Sequence, residues 1–260
     1  MSSEKEMPVS SSSRQMTPEI AEAVAAIRGL SVFDVSPDIE PGMPMWFLYE
    51  GPEISPILVR ETHGAVANRI ALSEHTGSHV DAPFHFDPDG LTMGEVAADA
   101  LFLRPYKKYV LADDDPQPGG LIGLERLKAA EARGTFQLHR GDVAVMEIGW
   151  DRYFPNGADE REEGWWGRNQ PGLSPEACEY LADVGVAAVA SDTAACDVAA
   201  KDGEILAGHG HSQYFLPRGI LIVEGLRHLA DVPSSGLMVA LPLKIKGGTG
   251  SPIRVLLLGQ

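Results

Sequence analysis

Only two cysteines, Cys178 and Cys196, occur in the 260 residues, and neither belongs to a C-x-x-C pair. No disulfide framework can be built from them, so a reducing, cytoplasmic setting is expected. Apolar runs long enough to cross a bilayer are also missing, and no membrane association is expected. Basic residues are scarce: 21 Lys and Arg stand against 37 Asp and Glu, a formal charge of −16. That balance argues against a nucleic-acid partner or an anionic membrane surface, and its plain reading is solubility. The N-terminus, MSSEKEMPVSSSSRQ, lacks the apolar core of a secretory signal. It reads as a disordered tail spanning residues 1–16.

Hydrophobic content is ordinary at 44%, enough for one full core in a domain spanning residues 17–260. Thr17-Pro18-Glu19 opens a helix with threonine as N-cap and proline at the first position, and Gly29 ends it. A second helix runs over Gly123–Arg133. A third starts at Ser174-Pro175-Glu176 and reaches Asp183. Strands are expected near Leu30–Val35, Tyr106–Ala112, Val143–Ile148, Val186–Ala190, Ile220–Val223, Leu237–Leu243 and Ile253–Leu258. Ile54–Glu61 and Ala65–Leu72 read as two further strands joined at His63-Gly64. Asp113-Asp114-Asp115 precedes two prolines and reads as a solvated loop. Residues 154–172 are irregular and carry Trp165 and Trp166, a pattern common in functional lids. The mixture predicts a single α/β domain with antiparallel neighbours at both ends of the chain.

The densest chemistry lies between Ser73 and Phe86, where His75, His79, Asp81 and His85 fall within eleven residues. On a helix His75 and His79 would share one face; on an extended segment His79 and Asp81 would point the same way. Pro83 stops a helix from running through the stretch, so a turn bending at Gly77 is expected. Two imidazoles and a carboxylate suit zinc, manganese or iron, whereas magnesium or calcium prefers more oxygen ligands. His85, beyond the proline, is placed to accept or donate a proton near a metal-bound water. A lone histidine would read as surface or satisfied core; three with an aspartate point to a site.

Further ligands can come from distant segments. Glu224 ends an apolar strand, where a carboxylate needs a partner, and His211 could join it there. His209 reads as part of a glycine-rich mobile loop. Trp46, beside prolines, reads as core filler or a pocket wall.

The run His75-Thr76-Gly77-Ser78-His79-Val80-Asp81-Ala82-Pro83-Phe84-His85 resembles the H-x-G-T-H-x-D-x-P-x-H signature of the metal-dependent cyclase family, which includes bacterial kynurenine formamidase and isatin hydrolase. Other landmarks occur in order: Asp34-Val35-Ser36, Pro44-Met45-Trp46, Gly141-Asp142-Val143 to Gly149-Trp150, Ser191-Asp192-Thr193, Gly219 to Leu226, and Leu241-Pro242-Leu243-Lys244. The resemblance implies an α/β domain of the swivelling β/β/α type, in dimers or tetramers. It implies His75, His79 and Asp81 as metal ligands, His85 as proton carrier, Trp46 in the substrate pocket, and Glu224 as a second carboxylate ligand. Ser78 stands where threonine is usual, and Ile148 where a threonine commonly precedes Gly-Trp. The family's further histidine lies twelve residues before the glutamate; His211 lies thirteen before Glu224, with Ser212 at the usual place. Either one residue is inserted between them or that ligand is absent.

The expected activity is hydrolysis of an amide or cyclic amide by a metal-activated water, with one Mn2+ or Zn2+ and room for a second. Trp46, with Trp150 or the Trp165-Trp166 loop, would pack against a small aromatic or cyclic substrate. A lactone or other cyclic ester, opened or closed at the same site, is the alternative enzyme. A metal-storage protein is the alternative outside catalysis, distinguished by a closed coordination shell.

Overall fold

The strands at Val143–Glu147, Ala188–Ser191 and Leu221–Glu224 are buried at every residue. The structure is a computed structural model that describes residues 16–162 and 164–260. The expectation of a disordered tail falls, except for Met16, outside the described residues. Up to Ser31 the chain contributes α1 (Pro18–Arg28), capped by Thr17 as expected and burying none of its residues. Residues 32–260 form a separate compact unit that holds the main sheet, its two cores and the histidine cluster.

In chain order the strands are β1 (Ser31–Asp34), β2 (Glu53–Leu58), β3 (Ala67–Ala71), β4 (His79–Asp81), β5 (Phe102–Val110), β6 (Leu121–Ile122), β7 (Val143–Glu147), β8 (Gly172–Leu173), β9 (Ala188–Ser191), β10 (Ala199–Lys201), β11 (Glu204–Ala207), β12 (Leu221–Glu224), β13 (Ser235–Ala240), β14 (Gly250–Pro252) and β15 (Val255–Gly259). Nine of them make one sheet in the order β1-β15-β13-β5-β7-β9-β12-β4-β14. Its centre, β5-β7-β9-β12, is parallel. Both flanks are antiparallel. This is the mixed α/β architecture expected, with its antiparallel neighbours at either side.

Helix α2 (Arg60–His63) is a single turn; α3 (Leu124–Gly134), α4 (Trp165–Arg168) and α5 (Pro175–Val184) come after it. Ser174 caps α5 by accepting the Ala177 N–H at 3.3 Å, with Pro175 in the first turn and Gly185 left-handed at its end. The two faces of the sheet bury separate cores. Ala144 and Met146 of β7 point to the core that includes Leu127 of α3 and Leu181 of α5, while Val143 and Val145 point to the other. That alternation explains why β7 reads as a continuous apolar run.

Two local expectations change. Val59 to Val66 do not form a tight hairpin turn; α2 intervenes, and β2 pairs with β3 beyond it. Trp165 and Trp166, expected in a lid, instead pack into or against the helical-side core.

Candidate metal centre and active site

Strand β4 is three residues long and buried throughout, and it lies between β12 and β14. His79 pairs with Glu224 and Asp81 with Ile222, in antiparallel register. The two-residue period sends His79 and Asp81 to one face and Val80 to the core on the other. Of the two backbone readings for this stretch, the extended one holds; His75 and His79 do not share a helix face. The chain reaches β4 through a turn at Gly77, whose φ of 63° is left-handed. Ser78 locks that turn, its hydroxyl donating to the Gly225 carbonyl at 2.9 Å.

Glu224 therefore stands beside His79 at the end of β12, with Oε2 3.4 Å from His79 Nε2. His211 comes from the other side, its Nε2 3.2 Å from Asp81 Oδ2 and 3.4 Å from Glu224 Oε1. His75 places Nδ1 2.7 Å from Asp81 Oδ1. Two triads of candidate ligands result, His75-His79-Asp81 and Asp81-His211-Glu224, each with its donor atoms within 4.8 Å of one another and all residues buried. Asp81 belongs to both. At the His211 spacing, Gly210–Phe215 forms a π-helical turn. Such a wide turn takes up an extra residue without displacing β12 beyond it, and it recurs at functional sites.

Each imidazole is oriented from behind. His79 Nδ1 donates to the Gly77 carbonyl at 2.9 Å, and His211 Nδ1 bonds to the Asp197 carboxylate. Asp197 is fully buried and also accepts the His211 N–H at 3.2 Å. His75 Nε2 meets Thr249 Oγ1 at 3.0 Å, and that hydroxyl donates to Glu74 Oε2 at 2.6 Å. With its outer nitrogen committed as a donor, each ring turns its inner nitrogen toward the carboxylates. Such an inner nitrogen either carries a proton or binds a cation.

The charge balance says the same. Burial opposes a proton on His211, but the charges of Asp197 and Glu224 raise its pKa well above the ordinary value. Burial likewise opposes a proton on His79, and the Glu224 hydrogen bond with the charge of Asp81 raises it. For Asp81 burial opposes ionisation, yet hydrogen bonds from His211 and His75 hold its carboxyl well below the usual range. The cluster thus demands positive charge at its centre. Three imidazoles and two carboxylates fit a divalent transition metal.

The cluster floors a cavity of ≈ 280 Å³ that Trp46, Tyr49, His85 and Phe86 also line. His85 sits on the turn Pro83–His85, its ring centroid 4.2 Å from that of His75. Burial pushes its pKa down to about 4, against the pull of Asp81. Tyr49 stacks on the same histidine, its ring centroid 5.3 Å from that of His75.

Trp150 is placed elsewhere, contrary to its expected role in the pocket. It is 0% exposed, stacks on Trp165 at 5.7 Å and donates to the Trp166 carbonyl at 3.2 Å, so it is core. Ile148 is also buried away from the cavity. His209 does not line the cavity. Sequence reasoning missed Tyr49, Glu74, Asp197 and Thr249. Asp197 carried a signal, a lone carboxylate in an apolar run; Thr249 carried none.

Comparison with known proteins finds relatives over most of the chain. The Cyclase family model, described as "Putative cyclase", matches residues 33–198. Kynurenine formamidase of Paracidovorax citrulli (strain AAC00-1) is 30% identical over 237 residues, covering 87% of this chain and 95% of that protein. A crystal structure of an isatin hydrolase bound to the product analogue thioisatinate superposes with TM-score 0.81 at 24% identity, covering 94% of this chain and 99% of the other. A potential metal-dependent hydrolase with cyclase activity gives TM-score 0.66 at 26% identity, over 89% of this chain and 100% of the other.

Proposed function

The chain belongs to the Cyclase family, and on that premise we propose that it is a metal-dependent hydrolase of amide or cyclic amide C–N bonds. The observation that carries this reading is the convergence of two ligand triads on Asp81 at the floor of a cavity. His75, His79 and Asp81 would hold one divalent ion, and Asp81, His211 and Glu224 could hold a second. Manganese and zinc both suit that donor set. When bound, the ion supplies Lewis acidity toward a carbonyl and lowers the pKa of water.

The remaining roles fall to the chain's own side chains. His85 has no side-chain hydrogen-bond partner among the described residues, so its ring nitrogens are available to water and substrate. With its pKa near 4 it is a neutral imidazole at physiological pH. One ring nitrogen takes the proton of the attacking water and returns it to the leaving nitrogen. Trp46 presents a half-buried indole to a flat substrate ring.

The protein works as a homodimer or homotetramer in the cytoplasm. Two buried free cysteines support a reducing setting. Among the described residues no helix is long and apolar enough to cross a membrane. The β2–β3 ribbon, with Ile54, Ile57 and Ile70 exposed, supports self-association.

The test is metal analysis of the purified protein, followed by hydrolysis assays on N-formyl aromatic amines, isatin-like lactams and matched lactones. Stoichiometric Mn2+ or Zn2+ with turnover of the amides is the expected outcome. Full activity in metal-free protein, or turnover of the lactones alone, overturns it.

A further inference from the structure

The cavity divides by polarity. Its floor carries every charged group that lines it, together with His85. Its walls, among them Trp46, Phe86, Ala195, Val198 and Ile205, are apolar, and Tyr49 adds a single hydroxyl. Among the described residues no lysine or arginine lines it.

Part of the wall's backbone is spoken for as well. Gln170, fully buried behind residues 194–198, takes the Ala194 N–H on Oε1 at 2.9 Å. Its Nε2 donates to the carbonyls of Ala195 and Val198 at 2.9 and 2.8 Å. The Cys196 N–H donates to Glu224 Oε1 at 3.0 Å. Gln170 thus takes three backbone groups of this segment and Glu224 takes a fourth from the cavity floor, and small apolar side chains are what the cavity receives.

A substrate carboxylate is best met by a cationic side chain, and among the described residues no lysine or arginine lines this wall. A substrate ammonium is best met by a carboxylate, and the two that line the cavity among the described residues, Asp81 and Glu224, lie on the floor, where the scissile bond has to sit. We propose that this site selects electrically neutral substrates, with their polar atoms confined to the scissile carbonyl end and an apolar ring against residues 194–198, and that it excludes amino-acid zwitterions. This rests on the reading of the chain as an amide hydrolase. It separates the chain in substrate class from a formamidase named for kynurenine, an amino acid. The chain's net charge of −16 acts in the same direction on any anionic substrate.

The test uses the metal-loaded full chain and two substrates with the same aryl formamide bond: formanilide, which is neutral, and N-formylkynurenine, which carries an amino-acid end. We expect kcat/KM for the zwitterion to be lower by at least about 100-fold, the scale for a charge left unpaired in a closed site. Equal or faster turnover of the zwitterion overturns the proposal and leaves the hydrolase reading standing. If neither is cleaved, the lactam assays decide the hydrolase reading, and calorimetric binding of isatin and of kynurenine decides this one. Binding of isatin alone supports it; binding of kynurenine as tight or tighter, or of neither, overturns it. A second variant, Ile205→Arg, puts a cation on the rim, where Ile205 is 52% exposed. It is expected to shift the preference several-fold toward the zwitterion; an unchanged ratio overturns exclusion by charge.

Discussion

His211 is gripped from behind by Asp197 while its other nitrogen faces Asp81 and Glu224. Loss of such a carboxylate partner typically lowers metal affinity by about 10–100-fold. Asp197→Asn is therefore expected to bind metal more weakly by that factor while keeping its fold, as read by competition with a chelator. A change in thermal stability without a change in affinity would show that Asp197 only fills space. His85 makes the opposite case, because it lines the cavity without belonging to either ligand triad. His85→Ala is expected to retain its metal and lose about 10²–10⁴-fold in kcat, measured by metal content and steady-state kinetics on one sample. These two residues also mark how far sequence reaches. His85 is legible because it sits four residues from Asp81. Asp197 lies fourteen residues from the histidine it holds, and Thr249 lies at the other end of the chain from His75; only the pairing of β14 with β4 brings Thr249 near.

At the scale of elements, Asp192 ties two strand ends together. It stands just past β9 and accepts backbone N–H groups from Ile148, Gly149 and Trp150, just after β7, at 2.9, 2.7 and 2.9 Å. Burial, joined by the Asp151 charge, pushes its pKa up to about 7, with the N–H donors pulling the other way. A carboxyl whose folded pKa exceeds its unfolded value ionises at a loss of stability. Its contribution thus falls as pH rises from about 4 to about 7. Asp192→Asn is expected to destabilise the metal-free protein by about 1–3 kcal/mol at pH 5, with a smaller difference at pH 8, read from urea midpoints. A difference independent of pH would refute the titration. Elements with local signals are legible: α1 and α5 carry their own caps, and β7 its apolar run. Trp150 misleads because the Gly149-Trp150 corner looks like a pocket from sequence. The aromatic ring instead turns into the core against Trp165. The π-helical turn at Gly210–Phe215 is visible in sequence only as an unexplained extra residue.

For the molecule as a whole, two features call for something beyond a bare single chain. The first is the β2–β3 ribbon, which pairs with no other strand among the described residues and leaves Ile57 and Ile70 59% and 57% exposed. A lone two-stranded ribbon is marginal in water, so covering by a second copy is expected. Ile70→Glu should shift the mass seen by light scattering toward the monomer, and a monomeric parent protein would remove the argument. The second feature is the cation-demanding cluster on β4 and β12. Without metal, His79 and His211 meet that demand with protons, since both have raised pKa values. Their stabilisation is complete below the unfolded histidine value and is lost as pH rises through the folded ones. Asp81, with its lowered pKa, contributes above the usual carboxylate range and loses that contribution only in acid. A metal ion competes with the histidine protons, so binding releases them and tightens as pH rises. The chelator-treated protein is therefore expected to lose thermal stability between pH 6 and pH 9 while the metal-loaded protein does not, and the gap in Tm should widen across that range. Calorimetric titration of metal in buffers of different ionisation enthalpy should register the released protons. A gap that stays constant with pH, or binding without proton release, would mean that the cluster is neutral before the metal arrives.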